Sequence, residues 1–100
     1  MMSITDSDFQ WLFGWFYAQC DGDWEHGKGI QIGTLSNPGW FIKINIEETV
    51  LESKPFHKIF VERSESDWVY CNIENGFFEG DCGPFNLIEV LKIFREWAER

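Results

Sequence analysis

Ile30-Gln31-Ile32-Gly33, the turn Asn37-Pro38-Gly39, and Trp40-Phe41-Ile42-Lys43-Ile44-Asn45-Ile46 together form the stretch whose reading decides the fold. Side-chain character changes at every step on both sides of the turn. Ile30 and Ile32 alternate with Gln31 and Gly33, and Trp40, Ile42, Ile44 and Ile46 alternate with Phe41, Lys43 and Asn45. Successive side chains of a strand point to opposite faces, so this period of two predicts a β-hairpin with one apolar face. Asn37-Pro38-Gly39-Trp40 suits a type II turn, with Pro at its second position and Gly where φ must be positive.

Downstream, after a connection over 47–55, Lys58 to Glu62 and Trp68 to Ile73 read as two further strands around Ser64-Glu65-Ser66-Asp67. Asn75-Gly76 is a type I′ hairpin signal leading into a strand from Phe77 to Gly80. Both ends of the chain switch to a helical period. Thr5 suits an N-cap, Asp6 and Asp8 suit a first turn, and Phe9, Leu12, Phe13, Phe16 and Cys20 predict an inward stripe widened by Tyr17, with the helix ending near Gly22. Trp11 and Trp15 lie on another flank, where packing would cover them at least in part. Near the C-terminus, Asn86 with Glu89 three residues later resembles a capping box, and Leu87, Val90, Leu91, Phe94, Trp97 and Ala98 form one apolar face. The expected fold is α+β: a single antiparallel sheet of about five strands in a meander, flanked by an N-terminal and a C-terminal helix, as one domain over 1–100.

Composition narrows the function. Seventeen Asp and Glu against eight Lys and Arg give a formal net charge of −9, which disfavours nucleic acid and anionic membranes and either steers a basic partner or serves solubility alone. Six Trp and ten Phe in 100 residues exceed the needs of a compact core and predict aromatic surface for an interface. Met1 to Asp6 has no basic n-region and no apolar h-region, and no apolar run reaches a membrane span, so a cytoplasmic protein is expected. Cys20, Cys71 and Cys82 are odd in number and lack metal-ligand spacing, which predicts reduced, mostly structural thiols.

Cys20-Asp21-Gly22-Asp23-Trp24-Glu25-His26 concentrates acids, a thiol, an imidazole and an indole. A metal site could draw on Asp21, Asp23, Glu25 and His26, but the spacing is not that of a calcium loop, and an extended backbone would send Glu25 and His26 to opposite faces. A small hydrolase could pair Cys20 with His26, or use His57 as a base, yet no nucleophile-elbow, zincin or P-loop pattern occurs. Neither a metal nor any other cofactor is therefore expected, and no enzymatic activity. The remaining reading is recognition, with Asp21, Asp23 and Glu25 as charge partners and Trp24 and Trp40 as anchors. Whether Trp11, Trp15, Trp24 and Trp40 belong to core or interface is open at this level.

Trp11-Leu12, Trp15-Phe16-Tyr17, Cys20 to His26, Gly29-Ile30, Thr34-Leu35, Asn37-Pro38-Gly39-Trp40 and Thr49 resemble the bacterial immunity protein 53 family. Asp67-Trp68, Cys71, Phe78-Glu79-Gly80 and the Leu87 to Trp97 helix extend the resemblance over nearly the whole chain. Ser36 and Asn45 depart from it, standing where acidic residues are usual, so no role is carried over to those positions. The resemblance implies a cytoplasmic immunity protein of a polymorphic toxin system, which binds a cognate toxin domain stoichiometrically and occludes it without turnover. The acidic charge would suit a basic toxin such as a nuclease. A small acidic interaction module unrelated to toxins is the alternative. The resemblance does not specify the toxin or the oligomeric state.

Overall fold

The computed structural model describes residues 6–27 and 29–100. Helix α1 (Ser7–Gln19) leads through a single 3-10 turn (Trp24–His26) into strands β1 (Ile30–Leu35) and β2 (Gly39–Asn45). Strands β3 (Ile59–Ser64), β4 (Asp67–Glu74) and β5 (Phe77–Cys82) follow, then helix α2 (Leu87–Glu99). All five strands pair antiparallel in one sheet, flanked by the two terminal helices, which is the expected α+β architecture.

The strand order departs from a meander. It runs β1-β2-β5-β4-β3, so β5 pairs with β2 on one side and β4 on the other. The chain leaving β2 therefore bypasses the centre of the sheet and enters at its far edge. On the way, Leu51 enters the core, Trp97 Nε1 donates to Pro55 O at 2.7 Å, and Lys54 Nζ donates to Arg100 O at 2.7 Å. These contacts tie the crossover to the C-terminal end of α2. The Asn75-Gly76 turn is as expected: φ values of 53° and 81° give the two positive angles of a type I′ hairpin.

Gly39 carries a different role from the one its turn suggests. It does not adopt a positive φ; it begins β2, opposite Leu35 and buried. A Cβ there would collide with the Cys82 carbonyl oxygen. Glycine thus lets the backbone of β2 approach β5, and the turn is not type II.

One core joins Ile42, Ile44 and Ile46 of the β2 segment, Val69 and Cys71 of β4, Phe78 and Cys82 of β5, and Val90, Leu91, Phe94 and Trp97 of α2. Phe94 lies at its centre, with ring centroids 5.0 Å from Phe78, 5.2 Å from Trp15, 5.9 Å from Trp11 and 6.0 Å from Trp97. Helix α1 meets α2 through these rings and through buried Asp8, whose carboxylate lies 3.4 Å from Arg95 and 3.7 Å from Lys92. Its inward face is therefore Asp8, Trp11, Leu12 and Trp15, rotated from the expected stripe. Phe13, Phe16 and Tyr17 are exposed, Tyr17 by 80%. Asp6 supplies the cap, accepting from the backbone N–H groups of Asp8 and Phe9, while Thr5 lies outside the described residues.

Asn86 precedes α2 but makes no side-chain cap to it. Its buried amide accepts from Trp68 N–H and donates to Asp67 and Glu89, fastening the helix start to β4 in place of a capping box. Arg63 binds both Asp67 and Glu89, and its hydrogen bond, followed by that of Asn86, holds the Asp67 carboxyl below the usual range.

Candidate functional site

The 20–26 loop is self-contained. Asp21 Oδ1 accepts from Asp23 and Trp24 N–H at 2.9 and 3.0 Å, and the Glu25 carboxylate accepts from Asp21 and Gly22 N–H at 2.9 Å each. Hydrogen bonds to the charged form lower a carboxyl's pKa. Asp21 is lowered by the Trp24 and Asp23 amides, and Glu25 by its own backbone N–H and then by those of Asp21 and Gly22. Both acids are thus anchored to the turn they shape, while the Asp23 carboxylate is exposed and makes no cap bond.

Trp24 is only 5% exposed and packs against Trp15 and Phe16 at 5.9 and 5.7 Å. It is a core residue, so its ring is not offered to a partner as an anchor. Trp40 is half-buried on the core side of β2, with Nε1 donating to Pro84 O at 3.1 Å. The residues expected to act together are therefore divided between a loop and the covered side of the sheet.

Thiolate chemistry is disfavoured at Cys20. Its Sγ donates to Phe16 O, and desolvation, followed by the charges of Glu25 and Asp21, raises its pKa. A nucleophilic cysteine needs the opposite shift. Cys71 and Cys82 are buried, with pKa values pushed up by desolvation to about 12 and about 11. All three cysteines are free thiols. Among the described residues, no group of three or more His, Cys, Asp or Glu side chains is placed to hold a metal, and no helix is long and apolar enough to cross a membrane.

The opposite face of the sheet carries a different set of residues. Because Gly80 and Cys82 face the core, Glu79 and Asp81 point away from it; the same alternation turns out Phe41 and Lys43 on β2, Trp68, Tyr70 and Asn72 on β4, and Phe60 and Glu62 on β3. Register aligns Phe41, Asp81, Tyr70 and Phe60 in one row across four strands. Both helices lie on the other side, and this row stays half-buried to exposed, with Phe60 63% exposed.

Two features shape this face. Phe41 lies across Gly33, where a Cβ would meet the ring, so the glycine gives the ring its resting place. At the end near the β1–β2 turn, Asn37, Phe60, Glu62, Glu65 and Trp68 line a hollow of about 500 Å³. Lys43 Nζ stands 5.3 Å from the Phe77 ring centre and Lys58 Nζ 5.9 Å from that of Tyr70, so the aromatics here already receive cations. Aromatic content predicted exposed aromatic surface, but not which residues share it. Its members come from four strands, and only the insertion of β5 between β2 and β4 assembles them.

The comparisons agree with the sequence motifs. The sequence model of the immunity protein 53 family matches residues 9–99, from the first turns of α1 to the end of α2. No curated protein and no solved structure matches the chain. A match that covers all the secondary structure but the first two residues of α1, with the Cys20 to His26 segment inside it, means that the chain belongs to the immunity protein 53 family.

Proposed function

We propose that the protein binds a cognate bacterial toxin domain and neutralises it by stoichiometric occlusion, in the cytoplasm of the cell it protects. The observation that carries this reading is the family match over residues 9–99. The net charge of −9 and the aromatic, carboxylate-bearing open sheet face suit a basic toxin surface, such as that of a nuclease domain. Asp21, Asp23 and Glu25 add to the field that draws such a partner in. Neutralisation requires only that the toxin's active surface be covered, so no turnover, metal or cofactor enters.

The test is co-purification with the product of the adjoining upstream gene, followed by titration of that product's toxic activity. A complex of fixed stoichiometry and inhibition saturating at that ratio are expected. A toxin domain that stays fully active in excess protein would refute the reading. Stopped-flow rates should also fall as salt rises, because exposed charges separated by more than about 8 Å are largely screened at physiological ionic strength. Asp23→Lys is the clean charge reversal in the loop, since Asp21 and Glu25 also hold its backbone. It should slow association and leave dissociation almost unchanged. An association rate indifferent to salt would show that the acidity serves solubility alone.

A further inference from the structure

The geometry points to the row Phe41–Asp81–Tyr70 on the open sheet face as a seat for an arginine or lysine side chain projecting from the partner protein. This inference rests on the proposed toxin-binding function and names the chemistry that its interface takes. Asp81 occupies the central strand, directly opposite Phe41 on β2 and Tyr70 on β4. A guanidinium seated on Asp81 meets a bidentate acceptor, and its stem runs over the aromatic rings on either side, Phe41 leaning over Gly33 and Tyr70 against Phe60.

Three observations favour a cationic occupant. Lys58 Nζ already stands 5.9 Å from the Tyr70 ring centre, and Lys43 Nζ 5.3 Å from that of Phe77, so rings of this face accept ammonium groups. Glu62, Glu74, Glu79 and Asp81 outnumber the lysines on this face, in a chain of net charge −9. The Asp81 carboxylate has no hydrogen bond or ion pair among the described residues; Lys43 acts on it only through its field. Burial pushes the Asp81 carboxyl above its usual range despite Lys43.

That upward shift carries a sign. A carboxyl with a raised folded-state pKa favours the fold while protonated, and this stabilisation is lost as pH rises from the unfolded value of 3.8 through the folded one. Above the folded value the ionised Asp81 therefore costs stability, the kind of cost that binding groups carry. A partner cation would supply the missing counter-charge.

The test uses the full chain with two probes: the toxin domain encoded by the adjoining gene, and a nona-arginine peptide followed by NMR. Asp81→Asn should weaken toxin binding about thirtyfold or more, mainly through dissociation, while the melting temperature holds or rises. Glu96→Gln on α2, on the far side of the sheet, removes the same charge and should change affinity less than threefold. Nona-arginine should shift resonances of Asp81, Tyr70 and Phe41 in the native chain and not in Asp81→Asn. Wild-type toxin affinity in Asp81→Asn would overturn the seat while leaving the immunity reading standing. No toxin binding by the native chain, with peptide shifts still centred on the row, would instead remove the immunity reading and keep the cation seat. Peptide shifts centred elsewhere would overturn the seat whatever the toxin does.

Discussion

Phe94→Ala should destabilise the fold by about 3–5 kcal/mol, the usual range for deleting a buried phenylalanine ring. Phe94 is fully buried and touches Trp11 and Trp15 of α1, Phe78 of β5 and Trp97 of its own helix. The void would therefore open where both helices and the sheet meet, with large, poorly deformable rings around it. For a domain of this size each kcal/mol shifts the melting temperature by about 4–8 °C, so a fall on the order of 20 °C is expected. Phe13→Ala is the paired control. Phe13 is 46% exposed and meets Phe9 on the outer side of α1, so its loss should cost about 1 kcal/mol or less. Comparable losses from the two variants would mean that α1 is turned the other way, with Phe13 inward.

Gly39→Ala should cost about 3 kcal/mol, because the added methyl meets the backbone of β5 and not a side chain that can swing aside. Relief requires β2 and β5 to separate where Trp40 pairs with Cys82. Asn at this position separates collision from turn chemistry. Asparagine tolerates a positive φ, so a type II turn would accept Gly39→Asn with little loss, whereas a collision makes it at least as harmful as alanine. Urea midpoints for the two variants, at unchanged slope, decide between these causes.

Local patterns were legible where a single period or a single turn type fits, and Gly39 was not among them. The β2 alternation placed Ile42, Ile44 and Ile46 on one face because half-buried strands must alternate, and Asn75-Gly76 announced its turn because few residue pairs accept two positive φ values. On α1, two apolar stripes share one period, and nothing local ranks Trp11 and Trp15 above Phe13 and Phe16. The choice was made by distant groups, Phe94 and Arg95 on α2.

Strand order was hidden for the same reason. Each hairpin is local, but the β2–β5 pairing depends on a glycine clearing a carbonyl far along the chain. The candidate binding face inherits that difficulty. Asp81 reads as one solvated acid among many until β5 is inserted between Phe41 and Tyr70. In the 20–26 loop, local acids drew attention that the geometry redirects: Asp21 and Glu25 shape the turn, and Trp24 closes the core beneath it.

Oxidative footprinting of the aromatic side chains, with and without the toxin domain from the adjoining gene, decides whether the open sheet face is where the partner binds. Phe60, Trp68 and Tyr70 lie on the open sheet face, whereas Phe13 and Tyr17 lie on the outer side of α1. Binding at this face protects the first group from oxidation in proportion to complex formed, and leaves Phe13 and Tyr17 reactive. Protection of Phe13 and Tyr17 with Phe60, Trp68 and Tyr70 unchanged would contradict it, and would move the interface to the helical side of the molecule.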